Sequence, residues 1–225
     1  MSVPFYVSPE QIIKDKADYA RKGIARGRSV VVLQYAGGLL FVAENRSRAL
    51  HKISEIYDRL AFAGVGKYNE FDRLREAGIR WADQTGFSYS REDVDARALA
   101  NYYAQHISEM FTEGAKPLEV EVLVAQLGSN ARPTKIYRIA YEGTLTDEPR
   151  FAVLGGDADS VRERFASTEE NILDLEATLR NAVAALSGPG RTISVGDLEV
   201  CTLEDRGNRR TFTRWSDDDV ASLLD

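Results

Sequence analysis

Apolar and polar positions follow two rhythms along this chain, and each switch between them marks an element. In "SPEQIIKDKADYARKGIARG" the residues Ile13, Ala17, Ala20 and Ile24 return every three or four positions, which places them on one stripe of a helix whose opposite face is charged. Ser8 as N-cap, Pro9 behind it and Gln11 at the third helical position have the pattern of a capping box, and Gly23 or Gly27 can end the helix. A helix over about 8–26 is predicted, lying on its support with one side only. The rhythm then changes to runs that are apolar on both faces: Val30 to Tyr35, Leu39 to Glu44 and, further on, Leu60 to Val65. Ala36-Gly37-Gly38 joins the first two as a hairpin. Strands of this kind must be covered on both sides, which calls for a layered domain.

The rest alternates in blocks. Two helices come next: "YNEFDRLREAGIRWA", with Phe71, Leu74, Gly78 and Trp81 at helical spacing, and "SREDVDARALANYYAQHISEMF", opening on Ser90 with Asp93 three residues later. Four strand-like runs follow, "EVEVLVAQL", "KIYRIAY", "GTLTD" and "RFAVLGG". A second helix pair succeeds them, one from about Asp157 and one striped by Ile172, Leu175, Leu179, Ala182 and Leu186, halted by Ser187-Gly-Pro-Gly190. A hairpin, "DLEVCTLED" and "RRTFTRW" around Gly207-Asn208, and a short capped helix from Ser216 to Leu224 close the chain. Helices that come in consecutive pairs argue against a doubly wound sheet, which needs a strand before each helix. The simplest packing is α+β: two sheets face to face, each covered outside by a helix pair, a four-layer αββα sandwich over residues 1–225 as one domain.

Composition narrows the function. The chain of 225 residues is 44% hydrophobic and 28% charged with a net charge of −6, and it has no long basic block; nucleic acid and membrane surfaces are excluded as partners on this reading. "MSVPFYV" has no basic region or long apolar stretch of a signal peptide, so a cytoplasmic location is expected. The lone Cys201 reads as a small buried hydrophobe, and two histidines without metal-ligand spacing imply no metal and no cofactor.

Several positions could carry chemistry. "AFAGVGKYNEF" puts Gly64, Gly66 and Lys67 between a strand and a helix, but Tyr68 stands where a phosphate loop needs Ser or Thr, so close strand-helix packing is the better reading. Asp157 and Asp159 after Gly155-Gly156 would repel an anion at that helix start. His51 reads as a solvated surface group and His106, beside Tyr102 and Tyr103, as a packed one. Ser29 heads the first strand, the position of a hydrolase nucleophile.

"SPEQ", "DYARKGIARGRSVVVLQYAGGLLFVAEN", "LHKISEIYDRLAFAGVGKYNEFDRLR", "KPLEVEVLVAQLG" and "YRIAYEG" together resemble, in collinear order over most of the chain, the α subunits of the proteasome core particle, and "YARKGIARGRSVV" resembles their actinobacterial branch. The resemblance implies an αββα sandwich of the N-terminal nucleophile hydrolase type. Catalytic β subunits of that family carry a threonine where Ser29 stands, exposed by processing and using its own α-amino group as base. Here Ser29 is amide-bonded behind a helix and "RGR" lacks a threonine-rich processing junction, so no catalytic residue is expected. The alternative is a hydrolase that uses Ser29 after cleavage. The resemblance further implies a seven-membered α ring stacked on β rings, a gate formed by residues 1–7, and unfolded substrates tagged with the ubiquitin-like protein Pup. It also implies a ring-shaped ATPase activator whose C-terminal carboxylate meets Lys52 in "HKIS", with Arg26 and Gly66 as nearby walls. The helix from Tyr68 to Ala82 is expected to face the β ring through Phe71, Leu74 or Trp81.

Overall fold

The computed structural model describes residues 8–129, 132–166, 172–207 and 209–224; residues 1–7, expected to form a gate, lie outside them. Helix α1 spans Pro9–Ala25, and the Ser8 side chain accepts a hydrogen bond from the Gln11 amide at 3.3 Å. Only half of the capping box forms, because the Gln11 side chain donates forward to Asp15 Oδ1 at 2.7 Å instead of back to the cap. The predicted stripe is buried only at its C-terminal end, at Ala20 and Ile24, whereas Ile13 is 56% exposed.

The strands are β1 (Val30–Tyr35), β2 (Gly38–Glu44), β3 (Ile53–Tyr57), β4 (Leu60–Gly66), β5 (Val120–Gln126), β6 (Lys135–Ile139), β7 (Leu145–Asp147), β8 (Phe151–Leu154), β9 (Leu198–Glu204) and β10 (Phe212–Arg214). They form two antiparallel sheets of five, ordered β10-β9-β2-β1-β8 and β3-β4-β5-β6-β7. Sequence reading missed β3: it is a short edge strand whose Ser54 and Glu55 break the apolar pattern. The first two blocks of strands are also divided between the sheets. The chain leaves β2 for β3 in the other sheet, and β8 returns to pair with β1, Val30 opposite Leu154.

Helices α2 (Tyr68–Ser88) and α3 (Ala96–Thr112) cover the second sheet, while α4 (Ala158–Ala166), α5 (Leu175–Ser187) and the short α6 (Asp217–Leu224) cover the first. Between the sheets a core of Val30, Val32, Phe41, Ala61, Leu123 and Cys201 is closed to water. This is the four-layer αββα sandwich. Helix α1 runs across the ends of β4 and β5.

Three expectations change. Helix α2 extends to Ser88, and Phe71 and Leu74, each 3% exposed, pack inward with Gly64 against the Phe71 ring, so neither faces a partner. Trp81 is half-buried and stacks on Tyr102, ring centroids 6.3 Å apart. Ser90 caps only a 3-10 turn over Arg91–Asp93; α3 starts later because Asp95 Oδ1 accepts from the Ala98 amide at 3.0 Å. Ile172 stands before the Asp174 cap of α5 and is 59% exposed, outside the stripe assigned to it. Among the described residues no helix is long and apolar enough to cross a membrane.

Candidate functional site

Lys52 lies just ahead of β3, where its backbone carbonyl accepts from the Gly64 amide at 3.0 Å. Its side chain reaches across the end of the sandwich. The ammonium donates to the carbonyl of Arg28 at 2.6 Å and to that of Glu44 at 2.9 Å. Burial strips water from the charge and pushes its pKa down to about 8; Glu199 and Glu44 resist that shift, and Arg28 adds to it. Two of the three ammonium donors are thus committed to backbone carbonyls.

The lysine is positioned by a buried acid that sequence reading did not single out. Glu199, on β9 and 7% exposed, accepts from the amides of Lys52 at 2.9 Å and Ile53 at 3.2 Å, and from Asn45 Nδ2 at 2.7 Å. Arg214 Nη1 also donates to it, and His51 Nδ1 stands 3.5 Å away. Residues 45, 51–53, 199 and 214 are far apart in sequence; the β2-β9-β10 pairing gathers 45, 199 and 214 at one sheet, and 51–53 meet them from the start of β3 in the facing sheet. No local spacing could announce this cluster.

Arg26 and Gly66 fall in the same neighbourhood. Arg26 is exposed at the C-cap of α1, its amide donating to Gly23 O at 3.4 Å. The adjoining Gly27 presses on Val65 and Gly66, and a Cβ there would sit 3.2 Å from the Gly66 nitrogen. Gly66 itself has φ +112°, and a Cβ on it would lie 1.9 Å from the Glu119 carbonyl oxygen. Backbone crowding alone therefore requires glycine at this strand end. The same reasoning disposes of a phosphate cradle, since Gly64 is paired inside β4 opposite Val122 and the first turn of α2 already holds Glu70.

Ser29 is 7% exposed and amide-bonded on both sides. Its carbonyl accepts from the Glu44 amide at 3.3 Å. Beside it is a polar cavity of about 130 Å³ whose lining includes Arg28, Glu44, Asp157 and Arg191. Glu44, 3% exposed, is bound by Arg191 at 2.8 Å and faces Arg28 Nε at 3.5 Å. Neither histidine lines this cavity, and His106 is exposed on α3 instead of packed as expected. Cys201 is fully buried and its thiol pKa is pushed up by that burial, in keeping with a small core residue. Among the described residues no group of His, Cys, Asp or Glu could hold a metal ion.

A four-layer sandwich that opens its first strand on a hydroxyl residue has the architecture of the N-terminal nucleophile hydrolases, here with that hydroxyl walled in. The chain belongs to the proteasome-subunit family, whose profile matches residues 24–203. Within it the likeness is to the α type. The chain is 58% identical over 224 residues to the proteasome subunit alpha of Acidimicrobium ferrooxidans, covering 100% of this chain and 97% of that protein. It is 55% identical to that of Sanguibacter keddieii (100% and 90% covered) and 54% identical to that of Kineococcus radiotolerans (100% and 98%).

Proposed function

We propose that this chain is a non-catalytic α-ring subunit of a cytoplasmic proteasome core particle. Seven copies form an outer ring stacked on β rings that carry out proteolysis. Residues 1–7 restrict passage at the ring axis, and the substrates are unfolded proteins marked with a ubiquitin-like tag. A ring-shaped ATPase docks by placing a C-terminal carboxylate on the Lys52 ammonium, with Arg26 and Gly66 beside it, in the seam between neighbouring copies.

The observation that carries the reading is the state of Ser29: buried, without a free α-amine, and next to an acid neutralised by arginine. A hydroxyl in that setting has no proton acceptor, so the fold works here as architecture. The full-length likeness to α subunits supports the same conclusion.

Negative-stain microscopy of the full chain with and without a β partner tests it. Seven-fold rings and four-ring cylinders are expected with the partner. Monodisperse monomers under both conditions, or peptide hydrolysis by the chain alone that Ser29→Ala abolishes, would overturn it.

A further inference from the structure

The polar cavity beside Ser29 holds more hydrogen-bond donors than its own acceptors can use. Helix α5 has no basic residue in its last turn, and its final carbonyls draw cations from elsewhere in the chain. Arg164, from α4, donates to the Ala185 carbonyl. Arg191 commits an N–H each to the Leu186 carbonyl, the Ser187 carbonyl and the Glu44 carboxylate, which leaves two of the five that a guanidinium offers. On the other side Arg28 brings its Nε within 3.5 Å of Glu44, and its Nη groups make no hydrogen bond to a described residue.

Ser29 adds a hydroxyl. The residue is 7% exposed and lines this cavity, and among the described residues its side chain has no hydrogen-bond partner. A buried hydroxyl in that state costs stability unless something in the cavity accepts from it. The carboxylates of the lining do not meet that need: Glu44 is already bound by Arg191, and Asp157 is exposed to water. Three guanidiniums against these two carboxylates leave one positive charge in excess. The volume of about 130 Å³ is well below the roughly 300–1,000 Å³ of sites for drug-sized molecules. What the lining lacks is a compact anion rich in acceptors.

We infer that this cavity is a site for one small tetrahedral oxyanion of the inorganic phosphate class, held between the guanidiniums of Arg28 and Arg191 with the Ser29 hydroxyl donating to it. Guanidinium and oxyanion form charge-assisted hydrogen bonds in a matched planar geometry. The bound ion ties the head of β1 to the end of α5. The site belongs to the single chain and does not depend on ring assembly.

Isothermal titration calorimetry of the full-length chain with inorganic phosphate, at constant ionic strength, tests it. Binding should saturate at one ion per chain. Arg28→Gln and Ser29→Ala should each weaken the affinity about tenfold, the factor of one hydrogen bond to a charged group, and Arg28→Lys should keep part of it. Both variants should fold, since the Arg28 side chain is 51% exposed and the Ser29 hydroxyl holds no contact in place; circular dichroism checks this. Arg191→Gln, by contrast, would uncover Glu44 and confound folding with binding. Sulfate should compete with phosphate, whereas phenyl phosphate, whose ester group the cavity has no room for, should not. Heat that never saturates, an unchanged affinity in either variant, or competition by phenyl phosphate as strong as by sulfate overturns the proposal.

Discussion

Docking at Lys52 should weaken as the pH rises from 7 to 9. Dehydration at the sandwich end lowers the pKa of its ammonium to about 8, even though Glu199 and Glu44 lie close by to favour the charge. The protonated fraction then falls from about nine-tenths at pH 7 to about one-tenth at pH 9, so the affinity for a carboxylate that needs the charged form drops about tenfold, or about 1.4 kcal/mol. Fluorescence anisotropy of a labelled peptide carrying an activator's C-terminus, titrated with assembled particles, measures this directly. An amidated peptide should bind weakly at both pH values, and a Lys52→Arg particle should give a flat profile because a guanidinium stays charged throughout. The stability effect has its own sign. The folded-state pKa lies below the ordinary 10.5, so the unfolded chain holds the proton more tightly between about 8 and 10.5. Over that window stability rises with pH, and the charged lysine costs the fold stability at neutral pH. Equal affinity of the free-carboxylate peptide at pH 7 and pH 9, or the same slope in Lys52→Arg, would refute this account of the site.

Gly66→Ala forces a Cβ to within 1.9 Å of the Glu119 carbonyl oxygen at φ +112°, and should destabilise the fold by about 3 kcal/mol or more, read as a lower calorimetric Tm. Glu199→Ala leaves Arg214 and the amides of Lys52 and Ile53 without their shared acceptor; chemical denaturation should show a loss of about 3 kcal/mol, accompanied by weaker peptide docking. Ser29→Ala in the reconstituted particle should leave peptide hydrolysis unchanged and shift stability by about 1 kcal/mol at most, checked by kinetic and thermal assays side by side.

The layers were legible because burial writes itself into periodicity. Val30 to Tyr35 and Leu60 to Val65 are apolar on both faces, and they are buried on both faces in the sandwich. The paired helices were legible for the same reason. Exposed edges and element ends were not: Ser54 and Glu55 hide β3, and Asp95, not Ser90, carries the cap of α3. The division of strands between sheets was also out of reach, since the return of β8 to β1 depends on packing and not on any local pattern. Lys52 could be named from resemblance alone. Glu199, which meets the Lys52 amide 147 residues away, had no local signal to announce it.

The end of the sandwich shows how this fold can give up chemistry without giving up shape. A nucleophile at the head of β1 needs a free amine and room for a peptide bond to approach. Here the amine position is a peptide nitrogen preceded by Arg28, whose carbonyl holds Lys52 at 2.6 Å. The small polar cavity beside Ser29 is walled by Glu44 and Arg191, which are paired with each other, and Arg191 in turn donates to the Leu186 carbonyl at 2.7 Å and the Ser187 carbonyl at 3.1 Å, where α5 ends. These are contacts that join elements from both sheets and from the helix layer, so the groups that close the catalytic position also brace the end of the fold. Restoring a nucleophile would require removing that brace: cutting before Ser29 would free the amine but sever the Arg28 carbonyl from the strand it anchors. The closed catalytic position and the support of Lys52 thus depend on the same few bonds, through the Arg28 and Glu44 carbonyls that hold the ammonium.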